Sequence, residues 1–150
     1  LKVLNKHNIG PRFLFSGENY LVYRFVEGEF ILDWLRKSGK KEIFGVIKNL
    51  LSQCFVMDKL KVNKEEMHHP TKHIIINESG LPILLDFERC SRTDKPKNVT
   101  QFVEFLCRIG EELNSKGITV KVNVLRDLAG QYKDTYDEQV LKNIIKAFDA

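Results

Sequence analysis

Between Lys41 and Leu60 the apolar residues Ile43, Ile47, Leu50, Cys54 and Met57 recur at spacings of 4, 3, 4 and 3. Only an α-helix puts positions with that spacing on one face. Phe44, Leu51 and Phe55 widen the stripe, so the predicted helix is central and packed on more than one side. It needs apolar partners, and three further helical patterns supply them. Val99, Phe102, Val103, Leu106, Ile109 and Leu113 define one. Val122, Leu125, Leu128 and Ala129 define a shorter one. Val140, Leu141, Ile144, Ile145 and Phe148 define the last, with Thr135 and Glu138 spaced as its capping box.

The first third of the chain reads differently. Residues 1–8 look like a helix end, stopped by Gly10 and Pro11. Arg12–Ser16 and Tyr20–Val26 are rich in aromatic and aliphatic strand formers and are separated by Gly17-Glu18-Asn19, a hairpin pattern. Glu27-Gly28-Glu29 breaks the second run, and a short helix is expected over Phe30–Lys37. A polar, histidine-rich loop covers Lys64–Lys72. Ile74-Ile75-Ile76 and Leu81–Leu85, joined by Asn77-Glu78-Ser79-Gly80, then form a small hairpin. Its runs are nearly continuously apolar, which predicts cover on both faces. The fold class expected is α+β, mainly helical.

Composition narrows the function. The chain has 150 residues with 43% hydrophobic content, enough for a core of its own. A net charge of +4 tolerates an anionic ligand. It is too weak, and its basic residues too scattered, to argue for nucleic-acid binding. The 3 cysteines, Cys54, Cys90 and Cys107, have no metal or disulfide spacing and suit a reducing interior. No apolar run approaches the roughly 20 residues that span a bilayer, and no signal peptide is visible. A cytoplasmic protein is expected. The chain starts at Leu1 in the middle of an apolar pattern, which reads as a piece of something longer.

Asp86 is the residue with the clearest chemical promise. It ends the apolar run Leu81–Leu85 and precedes Phe87. A carboxylate at a strand end projects into a cleft, and hard divalent cations prefer oxygen ligands. The segments LVYRFVEG and HIIINESGLPILLDFE together look like a protein kinase. The first resembles the fifth strand and the hinge that holds adenine. The second resembles the strand pair after the catalytic loop, with Asp86-Phe87-Glu88 in place of Asp-Phe-Gly. The Asp-Phe-Glu variant is similar to the motif of choline and aminoglycoside kinases. The fuller string HHPTKHIII…DFERC…PKNVTQF resembles a group of small archaeal predicted serine/threonine kinases, distant relatives of the RIO-type atypical kinases.

That resemblance implies a kinase-like C-lobe over residues 29–150, with residues 1–28 a remnant of the N-lobe sheet. It implies ATP and magnesium as cofactors and phosphoryl transfer to a serine or threonine of a protein substrate. The hinge would be Tyr23, Arg24, Phe25 and Val26, with Ile75 and Leu85 under the nucleotide. Asp86 would hold the metal. If the family asparagine falls on His73, His73 becomes the second metal ligand, the catalytic aspartate falls on His68, and the histidine two places earlier falls on Glu66. Re-registering the loop would let Glu66 stand in for the missing aspartate. The glycine-rich loop and the strand lysine are absent and would lie before Leu1, so the fragment alone should be inactive. Two other functions fit the same residues: a pseudokinase or nucleotide-binding scaffold without catalysis, and a small-molecule kinase. A zinc site from His68, His69, His73 and Cys90 ranks lower, because the spacing fits no common zinc motif.

Overall fold

A computed structural model describes residues 1–148. In chain order its elements are α1 (Lys2–Asn5), β1 (Phe13–Ser16), β2 (Leu21–Tyr23), β3 (Glu29–Phe30), α2 (Ile31–Lys37), α3 (Lys40–Lys59), β4 (Val62–Asn63), β5 (Ile74–Ile76), β6 (Pro82–Leu84), β7 (Ser91–Arg92), α4 (Asn98–Arg108), α5 (Gly110–Ser115), α6 (Val122–Thr135) and α7 (Glu138–Phe148). The architecture is α+β and mostly helical, with small antiparallel sheets.

α3 is the central helix. Its stripe residues Ile43, Ile47, Leu50, Leu51, Cys54 and Met57 are all buried. It packs against α4 and α7, and α6 bridges α4 and α7. Phe102, Leu106, Leu125, Ile144 and Phe148 fill the space between these helices. Fully burying side chains of this size contributes roughly 1.5–3 kcal/mol each before entropy is subtracted. This four-helix layer is the platform for everything on the other side of α3.

Three small sheets decorate that platform. β1 and β2 form a two-stranded ribbon with an irregular register between Phe13 and Phe15. β3, β5 and β6 form a three-stranded sheet with β5 in the middle. β4 and β7 pair over Val62↔Arg92 and Asn63↔Ser91. Gly28 makes the entry to β3 possible. Its φ is +152°, and a Cβ there would run into the Ile76 carbonyl oxygen of the neighbouring strand.

Two local expectations are corrected. The pattern from Val99 to Leu113 is not one helix: it breaks between α4 and α5 at Ile109. Thr135 does not cap α7. It is the last residue of α6, its hydroxyl donates back to the Gln131 carbonyl, and Tyr136 closes α6 in the left-handed region. Asp137 takes the capping role instead, accepting from the Gln139 N–H at 2.7 Å. No helix among the described residues is long and apolar enough to cross a membrane.

Candidate metal centre and nucleotide cleft

The pairing of β5 with β6 continues past the strand ends, because the Leu85 N–H donates to the His73 carbonyl at 2.7 Å. That bond sets His73, which precedes β5, beside Leu85 and Asp86, which follow β6. The polar loop between β4 and β5 then folds over the same end. Glu66, His73 and Asp86 each offer a ligand atom within 4.8 Å of the others. His73 Nε2 lies 3.3 Å from Asp86 Oδ2 and 3.8 Å from Glu66 Oε2. The second oxygen of Glu66 accepts from Arg89 at 3.0 Å.

Both carboxylate residues sit on unusual backbone. Glu66 has φ +66° and Asp86 φ +60°. Left-handed conformations cost an L-residue about 1 kcal/mol or more, and for Glu no short side chain offsets the cost locally. Such outliers concentrate where surrounding structure holds a functional group in place. The His69 N–H donates to the Glu66 carbonyl at 2.9 Å, which tightens the turn.

The cluster opens into a cavity of about 530 Å³ that Tyr20, Tyr23, Lys72, His73, Leu85 and Asp86 help to line. Tyr23 and Leu85 therefore share one cavity with the carboxylate expected to bind metal. The rest of the expected hinge does not. Arg24, Phe25 and Val26 line a neighbouring cavity of about 500 Å³ with Arg12, Asn77 and Ser79. Ile75 is the middle residue of the middle strand, opposite Phe30 on one side and Ile83 on the other. His68 is outside the cluster. Its ring packs at a 59° tilt against His69, centroids 4.7 Å apart, and its carbonyl accepts from Arg108. Burial and the nearby Arg108 guanidinium push the His69 imidazole below its usual range.

Beneath the loop lies a polar network with no counterpart in the sequence reading. The Asp58 carboxylate, at the end of α3, accepts from Asn98 N–H at 3.0 Å, Asn98 Nδ2 at 2.7 Å, Val99 N–H at 3.3 Å and Tyr132 Oη at 2.9 Å. Those bonds satisfy the start of α4, whose first N–H groups have no intrahelical partner. Asn98 Oδ1 in turn accepts from Lys64 N–H at 2.8 Å, two residues before Glu66. A rigid helix end thus anchors the loop that carries the candidate ligand. Burial raises the Asp58 carboxyl above its ordinary value, against the pull of its hydrogen bonds. One signal was available: Asp58 follows Cys54 by four residues and so falls on the buried stripe of α3.

Lys64 is the second residue missed. It is buried to 1% exposure, with Nζ 5.5 Å from the centre of the Phe87 ring. Burial lowers its ammonium pKa, and the charges of Cys90, Asp86, Cys54 and Glu66 oppose that. Nothing in the string around it marks Lys64 as different from the exposed lysines. Phe87 also packs on Gly10, where a Cβ would come within 2.8 Å of its ring.

Comparison with protein-family models, with curated proteins and with solved structures found no match to this chain.

The donor chemistry of the cluster suits a divalent cation. Two carboxylates with free lone pairs match hard cations, which keep several waters and take one or two carboxylates beside phosphate oxygens. The surroundings match a cation that arrives with anions. Arg89 sits on Glu66, Lys64 lies behind the cluster, and Lys72 lines its cavity. These positive groups partly offset the carboxylate charge and lessen the repulsion that an anionic ligand would otherwise meet.

Proposed function

We propose that residues 29–150 are the C-lobe of a protein-kinase-like phosphotransferase, with residues 1–28 a remnant of its N-lobe. It would bind a divalent cation with ATP and pass the terminal phosphoryl group to a serine or threonine hydroxyl of a protein. The observation that carries the reading is the convergence of Glu66, His73 and Asp86, the last two lining the cavity that Tyr23 and Leu85 also line. In this reading Asp86 and Glu66 hold the cation, with His73 between them. Held there, a cation would supply positive charge to phosphate oxygens. Tyr23 and Leu85 face the base. Lys72 faces the phosphates. Phosphoryl transfer asks for positioning and charge rather than covalent help, so a loop without the usual aspartate is not thereby idle. Glu66, not His68, is the loop group beside the metal ligands, which favours the re-registered loop.

His73 stands where the resemblance implies an oxygen ligand. That favours a second reading, a nucleotide-binding scaffold without catalysis. Calorimetric titration with ATP plus Mg²⁺ or Mn²⁺ tests the shared part: binding by the 150-residue chain, weakened at least tenfold in Asp86→Asn. No binding at millimolar nucleotide with either cation overturns both readings. Single-turnover transfer from γ-labelled ATP to a protein acceptor, by a longer chain that supplies the glycine-rich loop and the strand lysine, then separates them.

A further inference from the structure

We infer that the Glu66–His73–Asp86 centre selects a first-row transition cation of the manganous type over magnesium, and that His73 Nε2 is the donor that discriminates. The inference rests on the proposed metal-binding reading and specifies its cation. Donors about 2.1 Å from one octahedral ion lie about 3.0 Å apart when adjacent and about 4.2 Å apart when opposite. The His73 Nε2 separations of 3.3 Å from Asp86 Oδ2 and 3.8 Å from Glu66 Oε2 fall between those limits. Those two separations let one ion sit beside His73 Nε2 and either carboxylate, and the two carboxylates lie within 4.8 Å of each other. One donor in three is an imidazole nitrogen. Magnesium strongly prefers oxygen; imidazole nitrogen suits first-row transition cations, and among these manganese shares magnesium's taste for carboxylate and phosphate oxygens.

The His73 backbone is held on both sides. The His73 carbonyl is fixed by Leu85 and its N–H donates to the Pro70 carbonyl at 2.9 Å. The imidazole is mostly covered, at 19% exposure. Its Nδ1 is buried with no hydrogen-bond partner among the described residues. Metal-bound histidines commonly donate that second N–H to a protein acceptor, which raises ligand basicity.

Mn²⁺ and Mg²⁺ are titrated separately into the 150-residue chain with a non-hydrolysable ATP analogue, followed by calorimetry and, for Mn²⁺, by electron spin-echo spectroscopy. The expected result is Mn²⁺ binding tighter than Mg²⁺ by on the order of tenfold or more, with a nitrogen modulation from a coordinated imidazole. His73→Asn replaces the nitrogen by an amide oxygen. It should abolish the nitrogen signal and shrink the preference, while circular dichroism reports the fold. Equal or tighter Mg²⁺ binding, or a nitrogen signal that survives His73→Asn, overturns the inference and leaves the metal-binding reading standing. Failure of both cations to bind overturns the two together. Should His73→Asn not fold, His73→Gln and the wild-type nitrogen signal decide the same point.

Discussion

Replacing Asp58 by alanine should be among the most damaging single changes in this chain. The side chain accepts from Asn98 N–H, Asn98 Nδ2, Val99 N–H and Tyr132 Oη. Asn98 Nδ2 has a second acceptor in the Val62 carbonyl at 2.7 Å, so it is not orphaned. Asn98 N–H, Val99 N–H and Tyr132 Oη are. Tyr132 is fully buried, and so are Asn98 and Val99. Each buried donor left without a partner costs about 1–3 kcal/mol. Removing the cost of holding a carboxylate away from water offsets part of the sum. The net loss expected for Asp58→Ala is about 3–5 kcal/mol, a large part of the roughly 5–15 kcal/mol available to a domain. Asp58→Asn keeps one carbonyl oxygen for both Asn98 donors, and the Tyr132 hydroxyl can rotate to accept. It loses the Val99 bond and should cost only about 1–2 kcal/mol. Urea unfolding at neutral pH measures both. Amide hydrogen exchange should show faster opening at Lys64, whose N–H is held by Asn98. The pH dependence has a definite sign. The folded-state carboxyl is raised above its ordinary value of 3.8, so its protonation favours the folded state. That stability is fully present below 3.8 and is lost as pH rises through the raised value. The deficit of Asp58→Asn relative to wild type should therefore widen on acidification. A loss below about 1 kcal/mol for Asp58→Ala, or equal losses for the two variants, would refute this account of the network.

Other substitutions probe separate parts of the argument. Gly28→Ala drives a methyl group into the Ile76 carbonyl oxygen at positive φ, and should cost about 1–3 kcal/mol by thermal unfolding. Glu66→Gly should raise stability by about 1 kcal/mol through relief of its left-handed backbone, while weakening cation binding by calorimetry; a destabilised variant would mean that the Arg89 contact outweighs the strain. Arg126 grips Glu104 with two bonds at 2.6 and 3.1 Å between α6 and α4, and that bond holds the Glu104 carboxyl below its usual range. Its stability is present at neutral pH and lost as pH falls through that lowered value. The pair is solvent-exposed, so Glu104→Gln should cost no more than about 1 kcal/mol at neutral pH and nothing in acid.

The long stripe of α3 was legible because it repeats a period over enough residues to exclude the alternative, and the β5–β6 hairpin because two apolar runs flank a turn sequence. Strands of two residues have no period. β3 lies on Glu29 and Phe30, directly after a glycine that reads as a break, and it exists because Gly28 lets the chain approach Ile76. β4 and β7 join residues 62–63 to 91–92, and no local pattern announces a pairing across that distance. In the site, Asp86 and His73 could be named from their place beside apolar runs. Choosing between His68 and Glu66 was beyond counting, because the loop contains a 3-10 turn at Pro70–Lys72 that changes which residue returns to the hairpin end. The buried Lys64 depended on where the loop lands, and only tertiary structure fixes that.

The central claim is that one divalent cation, carrying a nucleotide, sits among Glu66, His73 and Asp86. Paramagnetic broadening of amide resonances by substoichiometric Mn²⁺ with an ATP analogue locates the ion directly. Selective loss of the Glu66, His73, Leu85 and Asp86 signals, with Tyr23 next and residues of α7 untouched, is the predicted result. Broadening centred on the neighbouring cavity at Arg24 and Asn77, or uniform broadening that Asp86→Asn does not alter, contradicts it.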